Sequence, residues 1–149
     1  MKENPAMQKI LDNMKPGVIS LHGFLGDDKR DLETIIDHDT GELERLKIDR
    51  EQIALKLEEI RDLALKGLGN FVTVQEGYLA KADSIRGKIP CPFGHKGVYG
   101  KTVVTIQKKS TGEEMSYTDL GIHLVREHGF FQGKGTLFRL EPEALAELL

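Results

Sequence analysis

Glycine is what most limits the folds open to this chain: of its 16 glycines, 4 lie in residues 1–66 and 12 in residues 67–149. The first stretch is free to run as helices. The second has to turn every few residues, because glycine supplies the positive φ that tight turns need and weakens a helix interior. The aromatic residues shift with it, since only Phe24 precedes residue 67 and the other eight Phe and Tyr follow it, which suits strands that build a half-buried sheet. The expectation is an α+β protein with a helical lobe over 1–66 and a β-rich lobe over 67–149. No Pro-, Ser- or Gly-rich linker of useful length separates the lobes, so the 149 residues are expected to share one core as a single domain.

Hydrophobic residues at 39% supply a core, and with 30% charged residues and a formal net charge of -3 the chain is read as globular rather than a disordered acidic tail. No window approaches the apolar length of a membrane span, and the opening stretch lacks the apolar segment of a secretory signal. Cys91 is the sole cysteine and has no partner for an internal disulfide. A reducing, cytoplasmic setting without membrane contact is therefore expected.

In the helical lobe, 6–14 reads as a short helix and 18–21 as a strand. Leu32, Ile35, Ile36, Leu43 and Leu46 recur at helical spacing and predict a helix from about Asp31 to Leu46. Asp49 with Gln52 forms a capping signature, Ile48 is placed to staple onto Ile53, and a second helix from Arg50 to Lys66 stops at Gly67. Together the two form a helical hairpin packed on a small antiparallel sheet. Strands are expected at 71–75, 78–82, 98–107 and 115–118, with an edge strand at 138–140. Asp119 reads as the N-cap of a helix that ends at His128 before Gly129, and Pro142 as the first residue of a closing helix.

The residues that point to chemistry lie in the second lobe. Cys91 and His95 stand in CysProPheGlyHis, and His123 and His128 follow, after a spacer of 27 residues, on the helix expected behind the hairpin. Structural zinc takes four soft or borderline donors, commonly one pair from a tight turn and one pair from a helix. This chain offers both pairs. Two histidines five residues apart on a regular helix lie about 140° apart, so the last turn is expected to tighten or unwind if both are to reach one ion. Each residue also has a plainer reading, Cys91 as a small buried hydrophobe and His128 as a complement to the helix dipole. His22 and His38 stand apart from the cluster.

Residues 89–129, with knuckle, hairpin and a helix bearing paired histidines, resemble the ββα-type Cys/His zinc-finger modules. Position by position, the resemblance implies zinc held by Cys91, His95, His123 and His128. It departs in having His95 where such fingers carry a second cysteine and in the length of its spacer. It implies nothing about the helical lobe.

Three further motifs lack what their chemistry requires. HisLeuValArgGluHis over 123–128 is one residue too long for the HxxEH metalloprotease pattern, which turns the glutamate away from its working position. GlyPhePheGlnGlyLysGly over 129–135 is one residue short of a phosphate loop and lacks its Ser or Thr. The helical pattern after Asp49 runs straight through the place where a helix-turn-helix would turn. Charge is uneven, with 13 basic and 17 acidic residues over 1–87 and 8 basic against 4 acidic over 88–140. Lys88, Lys96, Lys101, Lys108, Lys109, Arg126, Lys134 and Arg139 form the latter set. Such a set reads as a phosphate-facing patch or as lysines that keep strand edges soluble.

The function expected is that of a small cytosolic binding or accessory protein with a structural zinc site, its partner an unidentified protein or a weakly bound nucleic acid. One alternative is an enzyme, using a three-ligand zinc with Glu127 or His95 as base, or a Cys91 thiolate activated by His123 or His128. Another is a helical interaction protein that forms a homodimer.

Overall fold

The structure, a computed structural model, describes residues 5–149. Among these, five helices and six strands follow one another as α1 (Pro5–Asn13), α2 (Leu32–Leu46), α3 (Arg50–Leu65), β1 (Val72–Gln75), β2 (Tyr78–Asp83), β3 (Lys88–Pro90), β4 (Val98–Gly100), β5 (Val103–Lys108), β6 (Glu114–Thr118), α4 (Asp119–His128) and α5 (Pro142–Leu148). The fold is α+β, with an N-terminal helical part and an antiparallel sheet behind it.

The α2–α3 hairpin forms as its signals require. Asp49 is the N-cap of α3, and its Oδ1 accepts a hydrogen bond from Gln52 N at 2.7 Å. Ile48 packs against the cluster that contains Ile53. Asp49→Ala is expected to cost about 1 kcal/mol, read as a shift in the urea midpoint with an unchanged slope.

Strands β1, β2, β5 and β6 form one antiparallel sheet in the order β1-β2-β5-β6. Ala80 pairs with Ile106 and Ala82 with Val104, and Val104 in turn pairs with Tyr117. This register turns Tyr78, Ala80, Ala82, Val104, Ile106 and Tyr117 into one core with Ile53, Leu57, Ile60 and Ala64 of α3. The Tyr117 hydroxyl donates to Leu57 O at 2.8 Å, so this fully buried phenol is satisfied and ties the sheet to α3.

A second cluster, of Met14, Phe24, Leu32, Ile35, Cys91, Leu120, Leu124 and Phe130, joins α1 and the start of α2 to α4 and to a separate two-stranded ribbon, β3–β4. The stretch 98–107 is thus two strands. Val98–Gly100 pairs with β3 and Val103–Lys108 with β2 and β6. At the break, Thr102 N donates to Asp119 Oδ2 at 3.2 Å. Residues 18–21 are turn and bend, and 138–140 are a turn residue followed by irregular chain, so neither stretch is a strand. No helix among the described residues is long and apolar enough to cross a membrane.

Candidate metal centre

The loop of the β3–β4 ribbon is the CysProPheGlyHis knuckle. Gly94 N donates to Cys91 O at 3.0 Å, and Gly94 has φ +80°, a conformation side chains disfavour. The backbone N–H groups of Phe93 and His95 donate to the Cys91 sulfur. The helical lobe holds the turn from behind, as Asn13 at the end of α1 donates from Nδ2 to Pro92 O at 3.1 Å.

Helix α4 supplies the second pair. Thr118, not Asp119, is its N-cap, with Oγ1 accepting from Gly121 N at 3.0 Å. Asp119 is the first helical residue and instead meets Arg61 at 3.1 Å. At the other end Gly129, with φ +61°, donates from its N–H to both Leu124 O and Val125 O, and Phe130 N bonds Leu124 O at 3.1 Å, so the last turn is wider than a regular α turn. Across this end of the helix the His123 and His128 ring centroids are 5.2 Å apart.

Four side chains meet at this point. Cys91 Sγ stands 3.4 Å from His128 Nε2, and His95 Nδ1 stands 3.2 Å from His123 Nε2. Ligand atoms of Cys91, His123 and His128 all lie within 4.8 Å of one another, a span that could hold a metal ion. His95 is exposed, with Nδ1 against His123 and its ring edge-on to that of His128 at 5.7 Å between centroids. Around a tetrahedral zinc, with Zn–N of about 2.05 Å and Zn–S of about 2.3 Å, two nitrogens stand about 3.3 Å apart and a sulfur and a nitrogen about 3.6 Å apart. The two contacts are each close to one ligand-ligand spacing of such a site, while His95 stands outside the compact Cys91, His123 and His128 group. Flat rings fix the imidazoles from outside: Phe93 stacks on His128 at 4.2 Å and Tyr99 of β4 on His123 at 4.1 Å between centroids.

Burial sets the protonation states. It pushes the Cys91 thiol up, against the pull of the two backbone N–H groups, and it holds the His128 imidazole down to about 4, with His123 and His95 adding like-charge repulsion. His123 is lowered as well, first by burial and then by His95. Neutral imidazoles leave a lone pair free to ligate. Because the folded value of His128 lies below the unfolded value, the unfolded chain takes up the proton first. Stability of chelator-treated protein is then complete above about pH 6.5 and is expected to fall by about 2 kcal/mol toward pH 4. Urea midpoints across that range check this, and a His128→Gln variant should lose less.

The cations of the second lobe do not form one free patch. Lys108 pairs with Glu147, Arg126 with Glu51 and Glu58, and Arg139 with Asp39 and Glu141. Nothing local in the sequence joins Arg139 to Asp39, as they stand 100 positions apart.

The architecture and this cluster define an α+β chain with a Cys/His group set between a ribbon turn and a helix. Compared with protein-family models, curated proteins and solved structures, the chain gives no match. The likeness to zinc-finger modules therefore rests on the cluster and on the order of its elements. The long spacer has a structural reason: β5 and β6, which belong to the main sheet, lie between the knuckle ribbon and the helix.

Proposed function

We propose that the chain is a zinc-stabilised binding or accessory module of the cytoplasm, in which Cys91, His95, His123 and His128 hold a structural ion that clamps the β3–β4 turn to α4. The Cys91, His123 and His128 ligand atoms, all within 4.8 Å of one another, with His95 Nδ1 3.2 Å from His123 Nε2, carry this reading. His95 completes the set by swinging inward from the exposed end of the knuckle. Four protein ligands leave no place for substrate or water, so the ion contributes folding energy rather than catalysis.

Cys91 supports a ligand role over a nucleophilic one. It is 3% exposed and its thiol is pushed up, whereas a reactive cysteine needs access and a stabilised thiolate. The partner is an acidic or mixed protein surface, with nucleic acid at most weakly held, because Lys108, Arg126 and Arg139 already have carboxylate partners.

Metal analysis of untagged protein tests the proposal. About one zinc per chain is expected, lost in Cys91→Ser and His123→Ala, with a lower melting temperature after chelation. Metal-free protein that is fully folded and indifferent to chelator overturns it.

A further inference from the structure

The main sheet ends at β6, and the far side of that strand is open. Lys108 N donates to Glu113 O at 2.9 Å, and bonded and non-bonded pairs alternate along an antiparallel ladder. Met115 and Tyr117 therefore bond inward to Ile106 and Val104, while the N–H and C=O of Glu114 and Ser116 point away from β5. No hydrogen bond from a described residue reaches these outward groups. An unpaired edge of this kind is a template for a further strand.

A groove of about 780 Å3 lies along this edge, between β6 and the 135–147 segment. Glu113, Glu114, Met115 and Ser116 stand consecutively in its wall. Neighbouring side chains of a strand point to opposite faces, so four in a row place the groove at the edge of the sheet rather than on one face. Its charge is one-sided, with Glu113, Glu114, Glu141, Glu143 and Glu147 set against Lys108 and Arg139. Both cations are already held, Lys108 by Glu147 and Arg139 by Asp39 and Glu141. Glu113 has no ion-pair partner among the described residues, and the Glu114 carboxylate meets only the Gln107 amide.

Arg139 adds an independent signal. Its side chain is 6% exposed, and its Nε is the one buried side-chain polar atom among the described residues that lacks a hydrogen-bond partner. Buried N–H groups are almost always paired. The Nε–H shares an edge of the guanidinium fork with Nη2, and Nη2 donates to Glu141 Oε1 at 2.9 Å, so the free N–H faces the side of the groove that Glu141 forms. It needs an acceptor oxygen, which Lys and Arg side chains lack and a peptide backbone supplies.

We propose that this groove binds an extended basic peptide, which adds to β6 as a further strand of the sheet. The peptide backbone pairs with the N–H and C=O of Glu114 and Ser116, and one of its carbonyl oxygens accepts from Arg139 Nε as the exposed Glu141 turns outward. Its Lys or Arg side chains meet Glu113, Glu114 and Glu141. A second copy of this chain fits less well, because it brings its own glutamates to a groove that is already acidic. The site does not depend on the zinc reading, since none of the four proposed ligands lines it.

The test is a titration of the full chain with the acetylated, amidated pentapeptide Lys-Val-Lys-Val-Lys, followed by NMR of the amide and arginine Nε–H signals, with Glu-Val-Glu-Val-Glu as the opposite-charge comparison. Saturable one-to-one binding is expected, with a shift of the Arg139 Nε–H signal, exchange of the Glu114 and Ser116 N–H slowed about tenfold, and the glutamate peptide weaker by about tenfold or more. Ser116→Pro removes an outward N–H and leaves the ladder to β5 intact, and it should weaken the lysine peptide about tenfold. Glu113→Gln combined with Glu114→Gln should weaken it to a similar degree, and this variant decides the matter should Ser116→Pro fail to fold. No saturable binding, equal binding of the glutamate peptide, binding without protection at Glu114 and Ser116, or affinity unchanged in the variants that fold overturns the proposal. A dimer in sedimentation, with those two N–H groups already protected in the peptide-free protein, overturns it in favour of a second copy.

Discussion

Arg139→Ala is expected to destabilise the protein by about 3–5 kcal/mol, well beyond what truncating an exposed ion pair costs. The Asp39 side chain on α2 is 1% exposed and that of Arg139 6%, so neither charge has water to fall back on. Both Asp39 oxygens are taken by the guanidinium, with Arg139 Nη2 donating to Oδ1 at 2.9 Å, and the same guanidinium donates to Gln132 O and Glu141 Oε1. Truncation leaves a carboxylate buried without its counter-charge and frees the 132–141 segment from α2. A paired replacement, Asp39→Leu with Arg139→Met, removes both charges and should recover most of the loss, since a buried ion pair is costly to break and not costly to exchange for apolar side chains. Urea midpoints of the single and paired variants check this. A single-variant cost below about 1 kcal/mol would mean that the pair does not join these segments.

Gly133→Ala should cost about 3 kcal/mol for a steric reason. A Cβ at this position would overlap the Leu25 carbonyl oxygen and stand 2.7 Å from the Leu25 carbonyl carbon and Cα. All three are backbone atoms and none can rotate away. The two segments approach so closely because they are bonded to each other, Gly133 N to Phe24 O at 2.9 Å, Asp27 N to Lys134 O at 2.9 Å, and Lys134 N to Asp28 Oδ2 at 3.1 Å. The Arg30 guanidinium beside Asp28 holds its carboxyl well below the usual carboxylate range, so the last of these bonds keeps a charged acceptor. Gly41→Ala on α2 is the natural comparison. Nothing lies within 4 Å of its added Cβ, and it should stabilise the protein by about 0.5–1 kcal/mol. Thermal melts of the two alanine variants should move in opposite directions.

The parts of the fold legible in the sequence are those set by neighbours along the chain. The Asp49 cap, the α2 and α3 stripes, the β5–β6 hairpin and the Gly129 stop each depend on residues within a few positions. The parts that stay hidden depend on distant pairing. β3 is three residues long and ends at Pro90, and it exists because Val98–Gly100 pairs with it. The same pairing divides what reads as one strand over 98–107. Asp119 has the chemistry of an N-cap, yet Thr118 takes that role, which leaves the carboxylate to Arg61 and Thr102. Arg139 reads as one cation of a surface patch because nothing local announces Asp39.

The metal-site candidates are legible for a different reason. Cysteine and histidine are few enough here that their order, knuckle then helix, stands out from composition alone. Sequence spacing does not show that His95 lies outside the compact Cys91, His123 and His128 trio, nor that Phe93 and Tyr99 stack on the ligand rings. It also predicts a distorted end to α4. The closing bonds do widen there, with Gly129 N reaching Leu124 O as well as Val125 O and Phe130 N also meeting Leu124 O.

X-ray absorption at the zinc edge of protein loaded with one equivalent of zinc reads out whether Cys91 and the three histidines hold the ion. A four-coordinate shell of one sulfur at about 2.3 Å and three imidazole nitrogens at about 2.0–2.1 Å is expected, with the sulfur contribution absent in Cys91→Ser. A shell of oxygen and nitrogen donors with no sulfur, or one that is unchanged in Cys91→Ser, would contradict it.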